Sequence, residues 1–496
     1  MTSILLPGQP VRDSGAPTRD RWPILVFAMN LLQTAAFAAL YPNQRLDPDL
    51  IAYLTYFRNW LHGDATLHGI AYFTHPKALL VFALGPLGSA TLALAITALA
   101  SAALGTIVYL ISRDHFGKTT ALIVAAFLLL DPSKAVLTLK SSADLYVALF
   151  LFATIYLLDR ERLLAAAGCL FLSALVKPVT LPCAASFLVF ENAGRRRWVA
   201  AGIPLLALPL IAWSNHALLG SVHGTDRFLE EFAALRGGDS VGPDSVFHFA
   251  LWTQLVKSRF IATAAWGFVG LVLWIGADRR RLLSPLLLVP LLFLIGYFLL
   301  GFTSRFMPFF RFFWPLEVWF LIFVISGAVE TGARLAESTQ PWVRTAVVAI
   351  VAVLLADNFI VRQIDYRRDF ALPFEQSMRF AADAQHLLRA EARQGQAVLI
   401  PLALLPYMMW EFPEAARAHR IETAERVALG QQVVQPEWIL YIPRIYASDA
   451  AREWLPRLIQ TGNYELRAAD GDAALLALPG VASNAGSSSQ FAARRP

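Results

Sequence analysis

Long apolar stretches separated by short polar loops recur along most of this chain. The segments "PILVFAMNLLQTAAFAAL", "ATLALAITALASAALGTIVYLI", "LLAAAGCLFLSALV" and "AVVAIVAVLLA" carry no acidic or basic residue. Several approach the roughly 20 residues that a helix needs to cross a hydrocarbon core. Together the runs predict an α-helical polytopic membrane protein of about eleven transmembrane helices. After Ile360 the pattern changes. "FEQSMRFAADAQHLLRAEARQ" has helical spacing, "AVLIPLALL" and "WILYIP" read as strands, and "NYELRAADGDAALLALPG" reads as a hairpin turning at Asp470-Gly471. The expected organisation is a tail over 1–22, a transmembrane module over 23–360 with a large first outer loop at 41–77, a small extracytoplasmic α/β domain over 361–481, and a disordered tail over 482–496.

Composition agrees with a bilayer setting. Of 496 residues 57% are hydrophobic and 16% charged, with mean hydropathy +0.52, above the roughly half-apolar usage of soluble domains. A net charge of +6 would point a soluble protein toward nucleic acid, but basic residues in a membrane protein chiefly set topology, so a nucleic-acid partner is set aside. The loops alternate in charge. The N-terminal tail with Arg12, Arg19 and Arg21, then "SRDHFGK", "DRER", "NAGRRRW", "ADRRR" and the loop around Arg334 and Arg344 fall on one side, read as the cytoplasmic side of a bacterial inner membrane. Facing away are 41–77, "DPSKAVLTLKSSAD", the turn at Lys177-Pro178, a long loop from Asn215 to about Arg259, "GFTSRFMPFFR", and everything beyond Ile360. The polar tail ahead of the first run is too long for the start of a signal peptide, so that run is read as a retained helix. Cys169 and Cys183 lie inside apolar runs, which predicts neither a disulfide nor a metal site.

The first outer loop contains "YPNQRLDPDLIAYLTYFRNW", with Asp47 and Asp49 on either side of Pro48. Asp47 is placed to cap a helix, Pro48 suits its first turn, and Leu50, Tyr53, Leu54, Phe57, Trp60 and Leu61 recur at helical spacing. The pattern predicts an amphipathic helix on the membrane surface. A capping carboxylate is stabilised as the anion, which lowers its pKa and its strength as a base. The alternative is chemical: one carboxylate takes a proton from an attacking hydroxyl or positions an acceptor, and the pair shares a divalent cation such as Mg or Mn.

Further charges gather at the same level. "THPKALL" places His75 and Lys77 around Pro76, "DPSKAVLTLKSSADLY" supplies Asp131, Lys134, Lys140 and Asp144, and "LVKPV" supplies Lys177. All six lysines except Lys118 lie on the outer side, against the positive-inside trend, which invites an anionic ligand or lipid phosphates at the interface. Asp144 opens an apolar run, where an ionisable group caps its helix or has a function. "SRFMPFFRFFWPLEVWF" adds Arg305 and Arg311 among aromatics, suited to holding phosphate or to packing on the rings.

Taken in order, these pieces resemble the GT-C superfamily of polytopic glycosyltransferases, which includes protein O-mannosyltransferases, lipid A aminoarabinose transferases and mycobacterial arabinofuranosyltransferases. The matching features are an acidic pair in the first outer loop (Asp47-Pro48-Asp49), His75-Pro76 at its end, Asp131-Pro132, Asp144 opening the next helix, Lys177-Pro178, and the late segment Arg311-Phe312-Phe313-Trp314-Pro315. The pair is split by proline rather than adjacent, which leaves open which carboxylate acts and whether a metal is bound. The resemblance implies transfer of a sugar from a polyprenyl-phosphate donor to an acceptor hydroxyl of a glycan, lipid or protein outside the cytoplasm. It gives Asp47, with Asp49 as alternate, the role of base. Lys77, Lys134, Lys140, Lys177 and Arg311 become candidates for the donor phosphate, with His75, Asp131, Asp144 and Arg305 supporting. Two other classes compete: a secondary transporter or flippase of a lipid-linked or anionic substrate, and a membrane scaffold with an outer binding domain. Charges gathered at one face rather than mid-membrane weigh against the transporter.

Overall fold

The computed structural model describes residues 20–62, 77–190, 193–219, 261–303, 313–338, 340, 342–401, 404–412, 418–424, 435–442 and 449–481. Residues 1–19, the tail over 482–496 and the expected sites His75, Arg305 and Arg311 lie outside them.

The first helix, α1 (Trp22–Leu40), has proline in its first turn and buries one narrow stripe, Val26, Asn30 and Thr34. A 3-10 turn (Pro42–Leu46) leads to α2 (Pro48–His62), followed after the undescribed part of the loop by the short α3 (Ala78–Leu84). The longest helix, α4 (Ala90–Phe116), is capped by Ser89 and stops at Gly117, whose φ of 85° takes the chain out of helical geometry. Next come α5 (Lys118–Leu130) and α6 (Pro132–Leu139), bent by 56° relative to one another. The break is local chemistry: Pro132 cannot continue the ladder of α5, and Asp131 caps α6 by accepting the Ser133 amide at 2.9 Å. After it follow α7 (Ala143–Leu158), α8 (Leu163–Val176), a 3-10 stretch (Pro178–Val189), α9 (Arg195–Gly202), α10 (Ala207–Leu219), α11 (Ile261–Ala277), α12 (Pro285–Thr303), α13 (Trp314–Ser338) and α14 (Trp342–Tyr366).

Among the described residues five helices or helix runs are long and apolar enough to cross a membrane, six if the bent pair α5–α6 counts as one span. Shorter apolar helices of 10–17 residues, α7 and α8 among them, pack between them. The outer surface of this bundle is apolar: Ile24 is 73% exposed, Val272 66% and Val353 66%, as expected of side chains that meet lipid rather than water. The chain is a multi-pass membrane protein. Helices α11 and α13 approach closely: a methyl built on Gly270 would lie 2.0 Å from the Phe323 carbonyl oxygen and one on Gly327 2.5 Å from that of Trp266. Only glycine fits there.

Ion pairs verify part of the loop reading. Arg113 at the end of α4 pairs with Asp20 ahead of α1 at 3.0 Å, and Arg160 after α7 pairs with Asp114 at 2.6 Å. Arg281 donates to the Trp274 carbonyl, and the Trp274 ring meets His115 and Phe116. Four loops assigned to one side therefore do share one end of the bundle.

Helix α14 runs past Ile360 to Tyr366, and a π turn (Arg367–Ala371) joins it to α15 (Leu372–Glu391) without leaving helical dihedrals. The α/β unit then has β1 (Ala397–Ile400), α16 (Leu405–Glu411), β2 (Arg420–Thr423), β3 (Trp438–Tyr441), α17 (Asp449–Thr461), β4 (Glu465–Asp470) and β5 (Ala473–Ala477). Sheet order is β2-β1-β3-β5-β4, with β1 parallel to β2 and β3, and β5 antiparallel to β3 and β4. Asp470 pairs with Ala473 across a two-residue turn in which Gly471 has φ 60°. Helix α15 and α16 cover one face through Met378, Phe380, Ala381, Leu388, Leu405 and Met408.

Candidate functional site

The site begins where the 3-10 turn ends. Asp47 is extended (φ −54°, ψ 135°), and its Oδ1 accepts the Asp49 amide at 3.1 Å while its carbonyl accepts that of Ile51. It is thus the cap expected of α2. Its second oxygen faces Lys140 Nζ at 2.9 Å. Asp47 is 5% exposed. Burial pushes its carboxyl above the usual range, outweighing the ammonium of Lys140 and the Asp49 amide, which pull the other way. This reverses the expectation for a cap, which assumed a solvated helix end, and makes Asp47 the stronger base.

The burial has a cause in α2 itself. Leu50, Ile51, Ala52, Tyr53, Leu54 and Tyr56 are all at most 1% exposed, so the helix does not float on a membrane surface. One side packs on α3 and the chain around Gly85, and another meets α16, where the Arg58 guanidinium lies 4.8 Å over the Trp410 ring. Trp60 and Leu61 near its end remain exposed. The apolar pattern marked one buried face correctly, but the opposite face is covered by the C-terminal α/β domain.

Lys140 ends α6 and opens a turn that carries a second ion pair. Ser141 holds φ 49°, a strained left-handed position, and its hydroxyl lies 2.8 Å from Thr97 Oγ1, which also meets the Tyr146 hydroxyl at 2.7 Å. Ser142 caps α7 through the Asp144 amide. Asp144, 2% exposed, pairs with Lys177 at the break between α8 and the 3-10 stretch. Two carboxylate–ammonium pairs, Asp47–Lys140 with its carboxylate buried and its ammonium partly exposed, and the buried Asp144–Lys177, therefore hang on the five residues 140–144. Removing a single partner from such a pair leaves an uncompensated charge, so each fixes the geometry of the other elements around it.

Lys134 is placed differently. It is fully buried, and its ammonium donates to the side-chain oxygens of Asn30 and Gln33 on α1, the latter at 2.8 Å. Gly105 of α4 makes room for Asn30, since a methyl there would stand 2.7 Å from its amide nitrogen. Gln33 in turn donates to the Leu129 carbonyl, in the last turn of α5 before the bend. In this setting Lys134 fastens α6 to α1. Asp131 accepts the Trp314 indole N–H at 2.8 Å, so two of the proline-linked segments quoted from the sequence, Asp131-Pro132 and Trp314-Pro315, meet in space. Behind them Glu317 pairs with Arg362 at 3.1 Å. Asn30, Gln33, Trp314 and Glu317 gave no sign of these roles in the sequence, because their partners are remote along the chain.

Asp49 and Lys77 are half-buried at the starts of α2 and α3. Among the described residues no group of three or more His, Cys, Asp or Glu stands together as a metal site. At Asp47 the Lys140 ammonium meets one carboxylate oxygen and the Asp49 amide the other. Cys169 and Cys183 are both free.

The helical bundle, the C-terminal α/β unit and their connection form a polytopic membrane fold that solved structures share. Among the solved structures that match are two of ArnT, the aminoarabinose transferase from Cupriavidus metallidurans. Bound to undecaprenyl phosphate, it aligns with TM-score 0.51 over 93% of this chain and 99% of that one at 13% identity, and its apo state with TM-score 0.50 over 92% and 97%, also at 13% identity. An Archaeoglobus fulgidus oligosaccharyltransferase in complex with Zn and sulfate aligns at TM-score 0.45 and 12% identity over 92% of this chain and 74% of that one. At such identities the likeness is one of fold. No family model and no curated protein sequence matches the chain.

Proposed function

We propose that this chain is a membrane glycosyltransferase that moves a sugar from a polyprenyl-phosphate donor to an acceptor hydroxyl at the extracytoplasmic face of a bacterial inner membrane. The observation that carries the reading is the pairing of buried Asp47 with Lys140, held between the membrane bundle and the outer domain on a fold shared with ArnT. The ArnT structure holds undecaprenyl phosphate, and a lipid-linked phosphate suits the cations clustered at this end of the bundle.

The chemistry follows from the pair. The acceptor oxygen attacks the anomeric carbon, the bond from that carbon to the phosphate oxygen breaks, and polyprenyl phosphate leaves with the electron pair. The acceptor proton passes to Asp47, whose raised basicity favours the transfer. As Asp47 is neutralised, Lys140 loses its counter-charge at the moment when the leaving phosphate gains charge. In a buried site that ammonium then stabilises the phosphate far more than it would in water. Lys77, Lys177 and Arg311 are the other candidate phosphate contacts. Lys134 is the member of the original set that the reading leaves out, being held inside the bundle by Asn30 and Gln33. The acceptor is a glycan, a lipid or a protein.

A transfer assay in nanodiscs tests this, using radiolabelled polyprenyl-phosphate sugars, membrane acceptor extract, wild type, Asp47→Asn and Asp49→Asn. Transfer by wild type that is lost in Asp47→Asn supports the reading. A folded wild type that consumes no donor from the panel refutes it and moves attention to transport of a lipid-linked substrate.

A further inference from the structure

The 3-10 turn that delivers Asp47 begins with exposed backbone amides, as every helical start does. Here they are met from the far end of the sequence. Both carboxylate oxygens of Glu375, in the first turn of α15, accept the Asn43 amide, at 3.0 and 3.2 Å. Glu375 is 4% exposed and Asn43 half-buried, so the contact is a part-buried, charge-assisted bond. One residue on, the Tyr366 hydroxyl donates to Gln44 Oε1 at 3.2 Å. The Tyr366 ring stands edge-on to Tyr41, which is itself buried against Leu139 and Ala371. Leu139 directly precedes Lys140 and Ala371 directly precedes α15. The turn is therefore gripped at three successive places, Tyr41, Asn43 and Gln44, by the junction between the last membrane helix and the outer domain. Gln44 is tied to Asp47 by a backbone hydrogen bond, Asp47 N–H to the Gln44 carbonyl at 3.1 Å.

We propose that Glu375 is a positioning residue for Asp47: by holding the amide end of the Pro42–Leu46 turn, with Tyr366 clamping Gln44, it makes docking of the outer domain the condition for the Asp47–Lys140 pair. This rests on the glycosyltransferase reading for its catalytic meaning, but the geometric part stands without it. The outer domain is then a brace of the reacting carboxylate. Neither Glu375 nor Tyr366 touches the reacting atoms.

Two measurements on the full chain in nanodiscs decide it, made on wild type, Glu375→Ala, Glu375→Gln and Tyr366→Phe, with Glu465→Gln on the exposed strand β4 as control. The first is amide hydrogen exchange over residues 41–51. Glu375→Ala is expected to speed exchange at Asn43 and Gln44 and, through the turn, at Asp49 and Ile51, while Glu375→Gln, which keeps an acceptor oxygen, restores most of the protection. Faster exchange confined to Asn43 and Gln44, or none, overturns the proposal. The second is sugar transfer. In Glu375→Ala kcat should fall about tenfold, the scale of a small misplacement of a reacting group, with the donor KM little changed and partial rescue by Glu375→Gln. An unchanged kcat in a variant whose turn exchanges faster also overturns it. A wild type that transfers no sugar defeats the functional reading alone, and the exchange result still decides whether Glu375 sets Asp47.

Discussion

Replacing Lys140 by methionine is the sharpest test of how the site is built. The substitution keeps the length of the side chain and removes its charge, which leaves the Asp47 carboxylate, 7% exposed at its side chain, without its ammonium. Exposed pairs contribute about 0.2–1 kcal/mol, whereas removing one partner of a fully buried pair costs about 3–5 kcal/mol. The Lys140 side chain is 29% exposed, so the expected loss lies between, at about 2 kcal/mol, or up to about thirtyfold in the folding equilibrium. The loss depends on pH with a definite sign. Burial holds the folded-state carboxyl above its unfolded value, so its contribution to stability is largest below about pH 4 and declines as pH rises through the folded value. Without Lys140 the folded value rises further. The gap between wild type and Lys140→Met must therefore close on acidification and open toward neutrality. Detergent-driven unfolding in mixed micelles, followed by tryptophan fluorescence between pH 4 and 8, measures it. The double variant Asp47→Asn/Lys140→Met removes both charges and should recover to within about 1 kcal/mol of wild type, since neither partner is left unpaired. A double variant as unstable as the sum of the two single ones would refute the reasoning.

Other outcomes follow from the same geometry. In the transfer assay Asp47→Asn should lose about two to four orders of magnitude, and Asp49→Asn much less, because Asp49 meets Asp47 through its backbone amide. Trp314→Phe deletes the indole N–H that satisfies buried Asp131 and should cost about 1–3 kcal/mol in the same unfolding experiment; a neutral result would mean that water replaces it. Gly327→Ala drives a methyl into the backbone of α11 and should destabilise by about 1–3 kcal/mol or more, with Gly276→Ala, where a methyl meets nothing, as the contrast.

Much of the framework was legible because it depends on local chemistry. The helix expected from "FEQSMRFAADAQHLLRAEARQ", the strands in "AVLIPLALL" and "WILYIP", and the hairpin at Gly471 are all present, and the charge of the loops correctly grouped the ends of α1, α4, α7 and α11. Asp47 as a cap was likewise a local signal. What escaped was decided by remote segments. A 3.6-residue pattern reports that α2 has an apolar face, but whether the other face meets water depends on where α16 docks. Lys134 looked like an outer cation because "DPSKAVLTLK" is short and polar, and only its packing against Asn30 and Gln33 turns it inward. Strand β2, with its polar "RIET", is held by its parallel pairing with β1 and has little strand character of its own. Glu375 was one acidic residue on an amphipathic helix until the fold brought it to Asn43.

The π turn between α14 and α15 has a mechanical meaning. Tyr366 at the end of the last span and Ala371 and Leu372 at the start of the C-terminal domain keep helical dihedrals, so no extended linker separates the two. Proline in the first turn of α15 and the π turn before it are the places where such a helix bends. Glu375 stands just beyond that joint, and what orients the last span therefore reaches the loop that carries Asp47 through helix rather than through slack. Bilayer thickness, which sets the tilt of spans, is accordingly a quantity to vary when exchange at Asn43 is measured.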